Sequence, residues 1–202
     1  MSAVAIIPAR GGSRRIPRKN YREFLGKPIL AYSVDVALES MLFEDGVWVS
    51  AEEADWGEIG IAAPRAGWIR RYPAFARDEV GTQEVMRHAL QTMEGERVRE
   101  LAALGRYSPM PAFVCCVYAT APTMMAVDLR RGYSEMRKRE DYAYIHGWFY
   151  WGRTQWFLEG RPLGEEMPRP PDRWIDINTE DDWQRAETMY QAWQESITKE
   201  TA

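Results

Sequence analysis

Residues 3–20 read AVAIIPARGGSRRIPRKN, and this stretch sets the expected fold. Its first five residues form a continuous apolar run that is rich in β-branched side chains and is followed by Pro8. Such a run predicts a strand that is buried on both faces and central in a parallel sheet. A basic loop with two glycines follows, and residues 28–40 then carry apolar side chains at helical spacing behind a proline. The chain therefore begins as a strand, a loop and a helix.

The same alternation continues to the end of the chain. We expect further strands at 47–49, 112–118, 142–145 and 174–177, and helices at 82–105, 127–139 and 179–196. Thr179 and Asp182 have the spacing of a capping box, which marks the start of the last helix. This order predicts a three-layer, Rossmann-like α/β fold with a mostly parallel sheet. Because no linker or internal repeat divides the sequence, we expect a single domain over 1–202.

Composition and charge narrow the classes of function. The chain has 202 residues, of which 46% are hydrophobic and 28% charged, which suits a domain with a buried core and excludes a disordered chain. The net charge is −4, yet residues 10–27 hold seven cations and one anion, which is +6 and leaves −10 for the rest. These cations do not form a basic face interleaved with aromatic side chains, so we expect no nucleic-acid partner. They predict one bound anion.

The basic loop has the chemistry of a polyphosphate site. Ligands of parallel sheets bind beyond the carboxyl ends of the strands, where this loop begins, and adjacent glycines let backbone N–H groups approach a ligand closely. Phosphate oxygens would be bound by the guanidinium groups of Arg10 and Arg15, the ammonium of Lys19 and the hydroxyl of Ser13. The spacing matches neither the dinucleotide-binding nor the P-loop pattern. The alternative is a solvated basic loop whose glycines serve an ordinary turn.

Other sequence features point to a cytoplasmic protein without a membrane partner. Cys115 and Cys116 are neighbours and cannot easily form an unstrained disulfide, so we expect reduced, buried thiols. No apolar run is long enough to span a membrane, and the run at 3–7 is too short for the core of a signal peptide. With only His88 and His146 and no paired cysteine spacing, a structural zinc site is not expected.

Several motifs resemble those of the sugar-acid cytidylyltransferases, the family that includes the CMP-sialic acid synthetases. They are IPARGGS and IPRKN in residues 7–20, FLGKPI and AYS in 24–33, CCVYATAP at 115–122, FYWG at 149–152 and DINTEDDW at 176–183. The likeness is nearest to the pseudaminic acid branch, because Tyr118 stands where sialic-acid members often have glutamine. The resemblance implies a nucleotidyltransferase fold and an enzyme that transfers CMP from CTP to a nonulosonic sugar acid, of the pseudaminic or sialic type, with release of pyrophosphate.

The resemblance also implies roles for particular residues. Those that would bind the nucleotide are Ala9, Arg10, Gly11, Gly12, Ser13, Arg15, Lys19 and Asn20. Those that would act in catalysis are Arg10, Lys19 and Asp176, and those that would bind the sugar are Thr82, Tyr118, Thr120 and Tyr150. Two alternatives stay open. Thr82 could instead cap its helix, and the aromatic run 148–151 that holds Tyr150 could pack in the core.

Magnesium is the cofactor that the resemblance implies, with Asp176, Asn178 and Glu52 as ligands. The family typically has aspartate at the second of these positions and an aspartate-rich turn at the third, whereas this chain has Asn178 and the sequence SAEE at 50–53. A weakened metal site is therefore an alternative. Asp176 could also serve the dipole of the following helix, and Glu52 could lie in a solvated first helical turn.

Family members carry an insertion between the positions of Ile145 and Phe149, with sugar-contacting residues and an arm that reaches the partner subunit of a dimer. This chain has only three residues there. The sequence therefore leaves open whether the protein forms a homodimer, because the arm that joins the subunits in the family is missing. Three outcomes are consistent with the shortening: a different or smaller acceptor, an acceptor pocket completed by another protein, or a nucleotide-binding protein that has lost acceptor chemistry.

Overall fold

A computed structural model describes residues 2–105 and 108–200. These residues form eight strands: β1 (Ala3–Pro8), β2 (Glu23–Phe24), β3 (Lys27–Pro28), β4 (Val47–Ala51), β5 (Gly67–Arg70), β6 (Phe113–Val117), β7 (Ala143–Ile145) and β8 (Phe149–Arg153). They also form six α-helices: α1 (Ile29–Glu39), α2 (Trp56–Ala62), α3 (Thr82–Leu104), α4 (Ala126–Arg139), α5 (Thr154–Glu159) and α6 (Glu180–Glu200). Two short 3₁₀ turns lie at Glu53–Asp55 and Pro73–Phe75.

Six of the strands make one sheet in the order β5-β4-β1-β6-β8-β7. β1 pairs in parallel with β4 and β6, and β4 pairs in parallel with β5, while β8 runs antiparallel to both of its neighbours. The register places Ala5 beside Cys115 and Ile7 beside Val49. The predicted mostly parallel sheet with a central, fully buried first strand is confirmed.

Helices cover both faces of this sheet. α3 packs on β1, β5 and α5, and α1 packs on β1, β4 and α4. The predicted helices at 82–105 and 127–139 end within a residue or so of the observed ones. α4 approaches β8 very closely, since a Cβ added to Gly132 would lie 2.5 Å from the Phe149 ring. The three-layer arrangement of the prediction is confirmed, and the single domain over 1–202 stays a prediction.

The predicted strand at 174–177 is wrong. Residues 174–178 have no regular secondary structure and pair with no strand in the described part of the chain. Ile175 and Ile177 are buried with Phe24 and Trp183 in a small second cluster between the β2–β3 hairpin, α1 and α6. Alternating burial of Ile175 and Ile177 therefore mimics a strand, but the partners of these side chains are helices and a hairpin rather than a sheet.

The prediction also missed β8, which the motif at 149–152 forms. Phe149 and Trp151 are fully buried, and so is Trp148 just before the strand. For these three aromatic residues the core-packing alternative is confirmed. A three-residue turn, His146 to Trp148, joins β7 to β8; the Trp148 N–H donates to Ile145 O, and Gly147 has a φ of 79°. This tight turn lies where the resemblance implies an inserted segment in family members.

The two cysteines lie within β6 and are fully buried. Burial raises the pKa of Cys116 to about 12 and that of Cys115 well above its ordinary value, so both thiols stay protonated at neutral pH. The prediction of packed, reduced thiols is confirmed. Among the described residues, no helix has the length and apolar character needed to cross a membrane.

Candidate functional site

A cavity of about 490 Å³ opens beyond the carboxyl ends of β1, β5 and β6. The loop after β1, the loop after β5, the start of α3 and the segment after β6 contribute to its wall. Nine residues singled out in the sequence line it: Arg10, Ser13, Arg15, Lys19, Asn20, Thr82, Tyr118, Thr120 and Asn178. The fold therefore brings residues from four separate parts of the sequence to one site, at the edge where parallel sheets bind their ligands.

Six of the predicted site residues lie outside this lining. They are Ala9, Gly11, Gly12, Tyr150, Asp176 and Glu52. Ala9 is buried and accepts a hydrogen bond from the Tyr21 hydroxyl at 2.5 Å, whereas Gly12 is exposed with open space around it. Tyr150 and Asp176 lie close behind the cavity wall, as described below.

A buried carboxylate, Asp55, holds the loop after β1. Its Oδ2 accepts the Gly11 backbone N–H at 3.0 Å, and its Oδ1 accepts from Arg18 Nη1 at 2.9 Å. A side chain at Gly11 would collide with Asp55, because an added Cβ would lie 2.5 Å from Oδ1. The sequence prediction missed Asp55 and placed the acidic group of this turn at Glu52. The signal in the sequence was that Asp55 lies soon after the second strand, four residues beyond the observed end of β4.

Lys19 ties the loop to the segment that precedes α6. Its Nζ donates to Ile177 O at 2.6 Å, and Asn20 Nδ2 donates to Arg10 O at 2.9 Å within the loop itself. Burial lowers the pKa of Lys19, while the neighbouring Asp176 acts in the opposite direction. The ammonium group is thus partly desolvated beside the cavity, where an anionic ligand would gain most from it.

Two of the loop arginines are held by one carboxylate from the loop after β5. Arg10 forms an ion pair with Asp78 and donates to Ala76 O at 2.8 Å, and Arg14 Nε lies 3.2 Å from Asp78 Oδ2. The Arg10 guanidinium holds the pKa of Asp78 below its ordinary value. In the described part of the chain Arg15 has no ion-pair partner, so its charge faces the cavity uncompensated.

Arg71 is a buried cation in the cavity wall that the sequence prediction missed. It is 3% exposed, and its guanidinium donates to Ser50 O at 2.8 Å and to Ser50 Oγ at 3.3 Å. Burial lowers its pKa to about 10, so it remains charged at neutral pH. No carboxylate within the described ranges forms an ion pair with it. The only signal for Arg71 in the sequence is its position next to Arg70, and Arg70 is exposed and forms an ion pair with Glu53.

A row of hydroxyl groups begins at the cavity lining and continues behind the cavity wall. Thr82 Oγ1 lies 3.0 Å from the Tyr118 hydroxyl, the rings of Tyr118 and Tyr150 are 5.8 Å apart, and the Tyr150 hydroxyl lies 2.9 Å from His146 Nδ1. Burial raises the pKa of both phenols, so they are neutral hydrogen-bonding groups at ordinary pH. The alternative that Thr82 caps α3 is wrong, because Gly81 holds the cap position and Glu84 accepts its N–H at 3.3 Å.

Asp176 and Asn178 come together, as predicted, although not on a strand. Asn178 Nδ2 donates to Asp176 Oδ2 at 2.8 Å, and His146 Nε2 lies 3.7 Å from the same oxygen. Asp182, rather than Asp176, serves the start of α6, because it accepts the backbone N–H groups of Asn178 and Thr179.

The acidic groups of the site fit a metal ion only in part. Within the described ranges no three His, Cys, Asp or Glu side chains are grouped so that they could hold one. Asp176 with the carbonyl of Asn178 is a small set of oxygen ligands, sufficient for an ion that takes most of its other ligands from phosphate and water. Glu52 precedes the 3₁₀ turn and does not line the described cavity.

Comparison with known proteins gives one family match. A family model described as cytidylyltransferase matches residues 4–146. A pseudaminic acid cytidylyltransferase of Campylobacter jejuni subsp. jejuni serotype O:2 is 32% identical over 135 residues, which are 67% of this chain and 53% of that protein. The chain therefore spans about half the length of this curated relative.

Two solved structures share the fold. One is a CMP:2-keto-3-deoxy-manno-octonic acid synthetase complexed with CTP, with a TM-score of 0.59, 14% identity, and coverage of 98% of this chain and 87% of that one. The other is a Mycobacterium tuberculosis H37Rv protein in complex with manganese, with a TM-score of 0.59, 14% identity, and coverage of 93% and 99%. At these identities the likeness concerns the fold.

Proposed function

Since the chain belongs to the cytidylyltransferase family, we propose that it transfers CMP from CTP to a nonulosonic sugar acid, of the pseudaminic or sialic type, and releases pyrophosphate. The observation that carries this proposal is the set of cations around the cavity beyond β1, chiefly Arg10, Arg15 and Lys19. Three cations on one loop at the carboxyl edge of a parallel sheet match the charge of a triphosphate.

The reaction needs position and charge more than covalent help from the protein. A hydroxyl oxygen of the sugar acid attacks the α-phosphorus and its proton passes to water, while the bond from this phosphorus to the bridging oxygen breaks and pyrophosphate leaves with the negative charge. Arg15 and Lys19 would neutralise charge on the phosphate oxygens as it develops. Arg71, buried without a carboxylate partner among the described residues, would add to the attraction for an anionic ligand.

We propose a divalent metal ion, magnesium, as the cofactor, with Asp176 and Asn178 as protein ligands beside the substrate phosphates. When bound, such an ion supplies positive charge to phosphate oxygens. The complex of the mycobacterial neighbour with manganese supports a divalent ion for this fold. Only the resemblance supports Glu52 as a third ligand, since this residue does not line the described cavity.

Asn178→Asp tests these ligands. The change places a second carboxylate where an amide now donates to Asp176, and without metal the two carboxylates repel each other. Magnesium should therefore bind more tightly, by about tenfold, as followed by calorimetry with CTP present. Gln184→Glu, at an exposed position of α6, adds the same negative charge away from Asp176, so it is the matched control and should leave magnesium affinity unchanged. Equal affinity of the Asn178 variant and the unaltered protein would remove Asn178 from the site.

The acceptor would lie on the side of Thr82, Tyr118, Thr120 and Tyr150. The three-residue turn between β7 and β8 leaves this side without the inserted segment that the resemblance implies for family members. This observation favours a second candidate, a nucleotide-binding protein that keeps the phosphate loop and has lost efficient acceptor and metal sites.

Pyrophosphate release from CTP with magnesium and a panel of sugar acids separates the two candidates. We expect release with one of the nonulosonic acids, and a drop of about 100-fold for Lys19→Met, because Lys19 would stabilise charge on the phosphates. Arg137→Met, on α4 away from the cavity, removes the same charge and should be as active as the unaltered protein. CTP binding without release for any acid would support the second candidate.

A further inference from the structure

The loop after β5 places a carboxylate among the proposed phosphate ligands. Asp78 forms an ion pair with Arg10 and lies 3.2 Å from Arg14 Nε, and both arginines belong to the loop after β1. The contact spans 68 positions of sequence. Asp78 itself lines the cavity, so its carboxylate stands where oxygens of a bound phosphate would meet Arg10.

Both terminal nitrogens of the Arg10 guanidinium are engaged in the empty site. One nitrogen of its guanidinium donates to Ala76 O and the other binds Asp78. An end-on fork onto a phosphate would use these same two nitrogens, so Ala76 O and Asp78 compete with a phosphate that binds in this way. A polyphosphate that forks onto both terminal nitrogens of Arg10 therefore displaces Asp78, Ala76 O, or both.

The loop that carries Asp78 is anchored on either side of the carboxylate. Phe75 packs on the buried His88 ring with centroids 4.2 Å apart, and Tyr72 meets the same ring at 5.1 Å. On the other side, Gly81 begins α3. Asp78 is 38% exposed, so its side chain can turn to solvent while the anchored loop keeps its place.

We infer that Asp78 is an internal competitor of the phosphates: it occupies Arg10 and Arg14 in the empty site, is displaced by the polyphosphate, and returns to favour the release of pyrophosphate. The inference rests on the proposed function in that the loop after β1 is taken as the phosphate site. The exchange is one anion for another at the same two arginines, and no covalent bond changes. When a resident group occupies a site, the apparent affinity of a ligand is its intrinsic affinity multiplied by the fraction of molecules in which the site is free.

Binding of inorganic pyrophosphate, in EDTA so that no metal ion contributes, tests this role. By calorimetry, Asp78→Asn should bind pyrophosphate about fivefold more tightly than the unaltered protein, the size expected for a partly exposed ion pair. CTP should gain a similar factor, and cytidine, which has no phosphate, should gain nothing. Pyrophosphate should also inhibit the variant's CTP reaction at lower concentration.

Glu79→Gln is the matched control. Glu79 is the exposed neighbour of Asp78, and it forms no ion pair within the described residues, so its change removes the same charge without freeing Arg10. Equal tightening in both variants would reduce the effect to general charge and overturn the inference. Unchanged or weaker pyrophosphate binding in Asp78→Asn would overturn the inference too. Asp78→Ser is a second variant that removes the carboxylate, and it should show the same tighter binding of pyrophosphate. An unaltered melting temperature of the variant excludes a folding defect as the cause of a negative result.

The two proposals fail in different ways. If pyrophosphate binds no variant, the loop is not a phosphate site, and both proposals are wrong. If Asp78→Asn tightens pyrophosphate binding but no sugar acid yields pyrophosphate from CTP, the competitor role stands and the proposed transfer fails. If transfer occurs and Asp78→Asn binds pyrophosphate as the unaltered protein does, only the competitor role is wrong.

Discussion

At the scale of single residues, the loop after β1 owes its shape to one glycine and one buried acid. Gly11 donates its N–H to Asp55, and the space for a side chain at this position is taken by the same carboxylate. The sequence identified the glycines and cations of the loop because they are adjacent along the chain. It could not identify Asp55 or Asp78, because these residues lie 44 and 68 positions after the loop residues that they contact. Only the folded sheet brings them beside the loop.

Gly11→Ala should damage the phosphate site. The added Cβ would lie 2.5 Å from Asp55 Oδ1, so the loop must move, and we expect a loss of about 1–3 kcal/mol in the free energy of unfolding. We expect pyrophosphate affinity to fall by about tenfold or more. Gly12→Ala is the control, because nothing lies within 4 Å of an added Cβ there. Calorimetry and urea unfolding measure both variants, and equal behaviour of the two would show that Asp55 does not hold the loop.

Tyr142 is a buried phenol whose hydroxyl has no hydrogen-bond partner among the described residues. Tyr142→Phe removes this unsatisfied group, so the free energy of unfolding at pH 7 should rise by about 1 kcal/mol. Tyr144→Phe is the matched control and should lower it, because the Tyr144 hydroxyl donates to Gly164 O at 3.1 Å. Urea unfolding of both variants measures the two changes. A loss of stability in the Tyr142 variant would mean that its hydroxyl is satisfied.

The same residue gives a dependence on pH. Burial raises the pKa of Tyr142 above its ordinary value of 10.0. As pH rises through 10, the unfolded chain loses the phenolic proton and the folded protein keeps it, so the free energy of unfolding falls. Phenylalanine has no such proton, and the variant should lose less stability between pH 9 and 11 than the unaltered protein. Parallel curves for the two proteins would contradict the burial of this phenol.

At the scale of elements, the firmest predictions came from patterns with local causes. The continuous apolar run of β1 and the capping box of α6 needed no knowledge of distant partners. The segment 174–177 alternates in the same way as a strand, yet packs on α6 and the β2–β3 hairpin. β8 was missed because FYWGR is apolar without alternation, and only pairing with β6 and β7 identifies it as a strand.

The start of α6 also positions the segment with Asp176 and Asn178. Asp182 Oδ2 accepts the N–H of Thr179 at 2.9 Å, and Thr179 Oγ1 accepts the N–H of Asp182 at 3.2 Å. Asp182→Ala should lower the free energy of unfolding by about 1 kcal/mol. The hydrogen bond from Thr179 holds the pKa of Asp182 below its ordinary value, so this contribution is present at neutral pH and is lost as pH falls through that lowered pKa.

The neighbouring acid is the control for this helix start. Asp181 is exposed on the same first turn, and within the described residues it makes no side-chain hydrogen bond. Asp181→Ala should therefore change the free energy of unfolding by no more than about 0.5 kcal/mol. Thermal unfolding at pH 7 and pH 3 measures both variants. Equal losses in the two would show that general charge near the helix, rather than the reciprocal hydrogen bonds, stabilises α6.

At the scale of the whole molecule, the separation of charge has a structural meaning. The net charge of −4 combines an acidic body with a loop of +6, and the fold sets that loop beside Arg71 at the carboxyl edge of the sheet. The sequence predicted the position of the cavity because β1 and its loop are contiguous. The proposed acceptor side depends on β7, β8 and the segment before α6, which meet only in the folded protein.

The identity of the transferred group is the most direct test of the proposed function. The protein is incubated with magnesium, pseudaminic or sialic acid in separate reactions, and one of CTP, UTP, ATP or GTP, and the masses of the products are measured by mass spectrometry. We predict a product with the mass of CMP joined to the sugar acid in the CTP reaction and no nucleotide conjugate in the other three. Intact CTP beside unreacted acid, or conjugates formed equally from all four nucleotides, would contradict the proposal.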